Sequence, residues 1–345
     1  MYLSPRPVTL VFCSLLLAAA QAMASQAGWR QISIPGTTAD PAPIVAALYY
    51  PTQSDARTIG MGPFNVNVAM RAAPEAKLKG LILLSHGTGG SELGHSSLAE
   101  ALAQSGYLVA ALRHPGDNWQ DRSLRQGSLE RYVTERPRHA SRVIDALLND
   151  PEWKDRIASD AKGPRVGAVG HSAGGYTVLA LAGGRAEPTR FDAHCSAARA
   201  EDPIFCSTGK ARAPGTSTAA TSPSLPSLPS LADTRVRAVV AMAPMGALFS
   251  AASLAQIRIP VAVYEAQQDR FLVPQFHAEW VAANVPGVEM HRVPNAWHFA
   301  FSDTPTMAIP TEDGDLGANP PGFDRGEFLS RLQRELPAFF DKALR

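Results

Sequence analysis

Val166-Gly167-Ala168-Val169-Gly170-His171-Ser172-Ala173-Gly174-Gly175 carries a short apolar run, Val166 to Val169, into the pattern Gly170-x-Ser172-x-Gly174. The segment behind it, Tyr176-Thr177-Val178-Leu179-Ala180-Leu181-Ala182, can wind as a helix. The reading is strand, sharp turn, helix, with a serine at the apex. Such a turn needs glycine two residues to either side of the serine, because side chains there would strike the strand and the helix. It lifts the hydroxyl off the sheet and leaves the next amide, Ala173 N–H, facing whatever the hydroxyl meets. A chance Gly-x-Ser-x-Gly in a glycine-rich loop is the alternative, and the flanking strand and helix weigh against it.

Working outward, 345 residues with 45% hydrophobic content can bury one large core. The formal net charge is +1, with both signs spread along the chain, so neither a nucleic-acid partner nor a membrane-surface patch is expected. Arg6 is the only charged side chain before an apolar run from Val8 to Ala20, and Ala22-Met23-Ala24 supplies the small residues of a cleavage site. Residues 1–24 therefore read as a signal peptide removed after Ala24, with an uncleaved anchor as the alternative. The mature chain, 25–345, is then periplasmic or secreted and has no integral membrane segment. Cys13 leaves with the leader. Cys195 and Cys206 remain and read as a disulfide in an oxidising compartment, or else as two inert buried thiols. No Cys/His cluster has zinc spacing, so neither a metal nor a cofactor is expected.

Trp29 to Ile34 and Ile44 to Tyr50 read as strands, and Pro51 to Lys77 as an irregular loop. Lys79 to Ser85 is a continuous apolar run suited to a strand buried on both faces. It opens into His86-Gly87-Thr88-Gly89-Gly90-Ser91. Ser96 to Ser105 has helical periodicity stopped by Gly106, and Tyr107 to Leu112 is a strand ending at Arg113-His114-Pro115-Gly116-Asp117-Asn118. Arg138 to Asn149 is an amphipathic helix before the serine-bearing strand. This alternation predicts a mostly parallel, doubly wound α/β sheet with helices on both faces. Residues 183–234 break the pattern: both mature cysteines lie there, followed by a Pro/Ser/Thr-rich tract that cannot pack a core. The sheet resumes at Val236 to Met242, Pro260 to Ala266 and Val288 to Val293, and Arg325 to Leu344 closes the chain as a helix.

The turn at Ser172 resembles the nucleophile elbow of the α/β-hydrolase family. That resemblance implies a serine, an acid and a histidine in that chain order. A serine hydroxyl is a weak nucleophile until a base takes its proton and a carboxylate orients the base. Of His194, His277, His291 and His298, the last sits in the loop after the final strand, where the base belongs. Asp269 follows the penultimate strand and is the candidate acid, with Glu265 as runner-up; Asp202 and Asp233 lie in the insertion. The oxyanion that grows on the substrate needs two donors. Ala173 N–H is one, and His86-Gly87-Thr88-Gly89 matches the H-G-x-G form of the family, which implies Thr88 N–H as the other. A phosphate-binding loop is the rival, and it lacks the lysine. His86 is expected to prop this loop. His114 either lines the pocket or is a satisfied loop histidine. The acidic run 312–315 reads as a solvated loop, with weak calcium binding as the alternative.

Three segments together, Ser85 to Gly90, Arg113 to Asn118 and Gly170 to Gly175, resemble bacterial dienelactone-hydrolase-like proteins related to platelet-activating-factor acetylhydrolases. True dienelactone hydrolases carry a cysteine where this chain has Ser172, so the lactone substrate does not transfer. The resemblance implies an esterase that forms an acyl-enzyme on Ser172 and acts on a small-molecule ester. It also implies that the 183–234 insertion sits where lids occur. An amidase or peptidase on the same scaffold, and a non-catalytic binding protein, are the competing readings.

Overall fold

The computed structural model describes residues 25–38, 40–207, 228–311 and 314–345. The leader-like residues 1–24, most of the Pro/Ser/Thr tract, and Glu312-Asp313 lie outside the described residues. Four strands come first: β1 (Gln26–Ile34), β2 (Ile44–Thr52), β3 (Arg57–Met61) and β4 (Phe64–Met70). Six more follow: β5 (Leu81–Ser85), β6 (Leu108–Arg113), β7 (Val166–His171), β8 (Val236–Met242), β9 (Val261–Ala266) and β10 (Glu289–Val293). They form one sheet in the order β10-β9-β8-β7-β5-β6-β2-β1-β4-β3. From β6 to β10 every neighbouring pair is parallel, while β2 runs antiparallel to both β1 and β6.

Parallel strands need crossovers, and the crossovers cover both faces. On one face lie α1 (Ser96–Gln104) and the closing helix, α7 (Arg325–Ala343), whose Leu98, Leu102, Leu332, Leu336 and Phe340 meet Ile82 and Leu84. On the other lie α2 (Leu129–Asn149) and α3 (Ala173–Leu181), packed on Leu81 and Leu83, and α6 (Ala278–Asn284), packed on β9. Alternate residues of β5 thus enter different cores. That is why this strand reads as an unbroken apolar run rather than an alternating one.

Two expectations are corrected. The stretch from Pro51 to Lys77 is not an irregular loop: β3 and β4 form a hairpin there, turned at Gly62 with φ 58°. Along β4, Phe64, Val66 and Val68 are buried while Asn65 and Asn67 are exposed. This is the alternation of a half-buried edge hairpin, and the neighbouring Gly60-Met61-Gly62-Pro63 cluster hides it in the sequence. The helix expected from Arg138 begins nine residues earlier, at Leu129, with the Ser128 hydroxyl accepting from Arg131 N–H. Pro137 lies inside it and masks the continuity, because proline normally ends a helical pattern.

Within 183–234 the described part is ordered. Helices α4 (Pro188–Ala197) and α5 (Pro203–Ser207) are joined by a Cys195–Cys206 disulfide. Both sulfurs and Phe205 are buried in the core shared with α2 and α3. No helix among the described residues is long and apolar enough to cross a membrane.

The tightest point of the fold is where α3 leaves β7. A Cβ on Gly170 would lie 2.0 Å from Gly174 O, and one on Gly174 would lie 1.9 Å from Ser85 O. Backbone cannot yield as a flexible side chain can. Gly174→Ala is therefore expected to destabilise the protein by about 3 kcal/mol or more, the upper end for overpacking. Urea unfolding of the two proteins measures this, and an unchanged midpoint would mean that the turn can widen.

Candidate active site

The C-terminal ends of β5, β7, β8, β9 and β10 lie along one edge of the parallel sheet, where α/β folds gather their ligands. Each delivers a loop. Ser172 leaves β7 with φ 58° and ψ −118°, a conformation that L-residues avoid. It is held by three backbone bonds: Ser172 N–H donates to Met242 O (2.9 Å), and Ser172 O accepts from Tyr176 N–H and Met245 N–H (both 3.1 Å). Ala243, at the end of β8, also has positive φ (40°), with its amide bonded to Tyr264 O at 2.7 Å. The elbow and the adjacent strand end thus brace each other.

Asp269 follows β9 and His298 follows β10. Backbone bonds from Gln267 N–H to Val293 O (3.1 Å) and from Gln268 N–H to Ala296 O (2.9 Å) tie these two loops together. Asp269 Oδ1 accepts from the amides of Phe271 (2.8 Å) and Leu272 (2.9 Å), which fixes the carboxylate. Its Oδ2 accepts from His298 Nδ1 at 2.6 Å. That bond assigns the Nδ1–H tautomer and leaves Nε2 with a lone pair. The imidazole is held further by Phe271, stacked at 5.1 Å and 16°, and by His171, whose Nε2 donates to His298 O at 2.9 Å. All three groups, Ser172, Asp269 and His298, are buried.

The loop after β5 crosses in front of the serine. A Cβ on Gly87 would stand 3.1 Å from Ser172 Cβ, so glycine is what lets this backbone approach. His86 Nδ1 donates to Gly87 O (2.6 Å) and His86 Nε2 accepts from His114 N–H (3.2 Å). Thr88 lies at the exposed crest of the loop. Ala173 is the first residue of α3, where helical amides have no partner within the helix and the dipole favours negative charge. His114 is fully buried, bonded through Nε2 to Ser85 Oγ at 2.8 Å and facing His139 through Nδ1 at 3.4 Å.

The other sequence candidates lie elsewhere. Glu265 points from β9 toward Arg292 at 3.6 Å, and burial followed by Glu279 pushes its carboxyl up; it bonds no histidine. His291 stacks flat on Tyr264 at 4.3 Å on the edge strand. Asp233 pairs with Arg235. One further arrangement is not legible in the sequence. Asp202, in the insertion, accepts through Oδ2 from His194 Nε2 (2.8 Å) and His277 Nε2 (2.9 Å), and all three residues lie close enough to hold a cation. His277 Nδ1, however, accepts from Gly246 N–H at 3.1 Å, so its proton is on Nε2 and that nitrogen has no lone pair for a metal. The group is a hydrogen-bonded lock between the insertion and the loop that follows Asp269.

Histidines crowd this edge and burial keeps them uncharged. His86 is pushed down to about 4, by burial first and then by Arg136, and His139 to about 4 by burial. His95, with neither ring nitrogen hydrogen-bonded among the described residues, is pushed down to about 3 by burial. His114 and His171 are lowered well below the usual histidine range, again by burial first. A histidine depressed in the fold binds its proton in the unfolded chain first, so the unfolded state holds more protons between about 4 and 6.5. Stability is therefore complete above about 6.5 and is lost as pH falls toward 4. A histidine lowered to about 4, as His86 is, contributes about 2 kcal/mol of that loss at pH 5. Three carboxyls raised by burial, Asp303 to about 6, Glu100 to about 8 and Glu265, act with the opposite sign and offset part of this loss. The melting temperature is expected to be several degrees lower at pH 5 than at pH 7.5, and a flat profile would show that these rings are not held neutral.

Comparison with known proteins places this geometry. A family model described as "Alpha/beta hydrolase family" matches residues 81–309, from β5 to beyond His298. No curated protein matches the chain. Among solved structures, a ferulic acid esterase from Streptomyces cinnamoneus superposes with a TM-score of 0.60 at 19% identity, over 95% of this chain and 92% of that one. A dienelactone hydrolase from Anabaena variabilis superposes with a TM-score of 0.51 at 16% identity, over 93% of this chain and 100% of that one. At those identities the likeness concerns the fold. The matched span holds the elbow, the glycine-rich loop and the Asp269 and His298 loops, and with it the chain belongs to the alpha/beta hydrolase family.

Proposed function

We propose that the protein is an exported serine hydrolase of small carboxylic esters. Ser172 is the nucleophile, His298 the general base, and Asp269 the carboxylate that orients the base. The observation that carries the reading is the strained Ser172 at the head of α3. It sits at the sheet edge that also holds the 2.6 Å Asp269–His298 bond, and it faces a loop that only glycine lets approach. Non-glycine residues persist at such φ values where the surrounding structure over-determines them, and this happens at functional sites.

The proposed cycle follows from these positions. His298 Nε2 takes the Ser172 proton as the hydroxyl oxygen attacks the ester carbonyl. The developing oxyanion accepts from Thr88 N–H and Ala173 N–H, and the imidazolium is stabilised by Asp269. His298 returns the proton to the leaving alcohol, and water then repeats the sequence to free the acid. Residues 25–345 form the hydrolase domain in this reading, with the described part of the 183–234 insertion tied to the segment after Asp269. The leader-like 1–24 and the Cys195–Cys206 disulfide support export to the periplasm or beyond.

Wild-type protein is expected to hydrolyse p-nitrophenyl acetate and to be labelled by a fluorophosphonate, and Ser172→Ala should lose both. Faster turnover of a p-nitroanilide would favour the amidase reading, and a folded protein with neither activity nor labelling would favour the non-catalytic one. Asp269→Asn is expected to lower kcat by ~10⁴, as in serine proteases, whereas Glu265→Gln should leave it within a few-fold. The reverse order would move the acid to Glu265.

A further inference from the structure

We propose that Arg136 and Asp117 are positioning residues of the oxyanion site: their buried ion pair holds the peptide on either side of Thr88 and reaches across to the Ala173 side of the elbow. The inference rests on the esterase reading above. It gives a role to the Arg113-to-Asn118 segment, which the sequence singles out without explaining.

Arg136 lies on α2, Asp117 in the loop after β6, and both side chains are fully removed from water. A buried ion pair contributes little to stability compared with an apolar core of the same volume. Its retention therefore has to be sought in what it orients. Arg136 Nη1 donates to Asp117 Oδ2, and Nη2 donates to His86 O and, at 3.4 Å, to Ser85 Oγ. Asp117 Oδ1 accepts from Gly89 N–H at 2.9 Å. The residue two before Thr88 and the residue after it are thus held by the two halves of one ion pair. A third tether acts on Thr88 itself. Tyr132 OH donates to Asp117 Oδ2 (2.8 Å) and accepts from Thr88 Oγ1 (2.9 Å).

The fourth contact leads to the other donor. Arg136 Nε donates to Thr177 Oγ1 at 3.3 Å, and Thr177 Oγ1 donates to Ala173 O at 2.9 Å. One planar guanidinium therefore bonds the loop that carries Thr88 and, through one hydroxyl, the first residue of α3. Such a fork fixes angles as well as distances, which a lysine ammonium does not. Burial alone would raise the Asp117 carboxyl, but Arg136, His86 and the hydrogen bonds from Tyr132 and Gly89 together outweigh it and hold it low, so the carboxylate stays charged across the neutral range.

The test is steady-state and inhibitor kinetics on the full-length mature chain, with active sites counted by fluorophosphonate titration. Arg136→Lys keeps the charge and loses the fork. It is expected to lower kcat per labelled serine by roughly 10² to 10³, the loss seen when one oxyanion donor is removed, while KM for p-nitrophenyl acetate changes little. Affinity for a trifluoromethyl ketone, which forms an oxyanion, should fall in parallel with kcat. Tyr132→Phe removes the hydroxyl that links Thr88 Oγ1 to Asp117 while leaving the ion pair in place, and should lower kcat by roughly threefold to tenfold. A merely structural role would reduce the number of labelled serines without changing kcat per serine or the ketone affinity, and that result would overturn the proposal. So would a rise in KM at constant kcat. If Arg136→Lys does not fold, Tyr132→Phe and Asp117→Asn decide by the same readouts. A wild type that neither labels nor turns over defeats the esterase reading itself. An active wild type, silenced by Ser172→Ala but indifferent to Arg136→Lys and Tyr132→Phe, defeats only this one.

Discussion

Backbone meets backbone where Gly174 packs on Ser85 O, and the rest of the site depends on that approach. With a Cβ position only 1.9 Å from the carbonyl, the first turn of α3 is seated directly on the end of β5. The elbow must then bend within a single residue, which puts Ser172 at φ 58°. The same closeness brings the loop after β5 to the serine, with Gly87 as the contact. An oxyanion hole needs donors placed to within hydrogen-bond tolerance of where charge will develop. Two amides from segments far apart in sequence are so placed only when the segments carrying them touch without side chains between them.

Strain of this kind has to be held by its surroundings. Ser172, Ala243 and Asn295 are non-glycine residues with positive φ, and each lies at or just beyond a strand end of the sheet edge that carries the site. Such residues cost about 1–3 kcal/mol apiece. The β5–β9 strands are buried on both faces, so their ends cannot relax without opening one of two cores. Cross-bracing completes the hold. On the β5 side the Arg136–Asp117 pair fixes the glycine-rich loop. On the β9 side the Asp202–His277 bond ties the insertion to the segment after Asp269.

What was legible in the sequence was local. The Gly-x-Ser-x-Gly turn, the apolar runs of β5 to β9 and the loop positions of Asp269 and His298 follow from patterns within a dozen residues. The β3–β4 hairpin was not read because its alternation covers one short strand beside a Gly/Pro cluster. The start of α2 was hidden by Pro137, whose missing amide is tolerated inside a long packed helix. Arg136 and His277 were illegible for a deeper reason. Arg136 lies before the helix that the periodicity marks, in the charged stretch Glu135-Arg136-Pro137-Arg138, and only the fold buries it against Asp117 and His86 O. His277 reads in the sequence as one more histidine after Asp269, and only the fold buries it fully against Asp202, 75 positions away. Long-range polar pairs leave no periodic trace, because each partner is defined by the other and not by its own neighbours in sequence.

The structure holds two aspartate–histidine pairs, and comparing them shows what the proposed base has that the other histidine lacks. Asp269 with His298, and Asp202 with His277, have nearly equal bonds, 2.6 and 2.9 Å, and all four residues are buried. A carboxylate beside an imidazole is therefore not what makes a base. In His277 the second ring nitrogen accepts from Gly246 N–H, so both nitrogens are committed and the ring can only hold position. In His298 the carboxylate takes Nδ1 and no hydrogen bond from a described residue occupies Nε2, while the backbone carbonyl is pinned by His171. The ring is fixed by every contact except the one a base must keep free. The strained serine stands at the end of β7 on the same sheet edge, and the fold that satisfies His277 completely leaves the His298 imidazole an unspent lone pair.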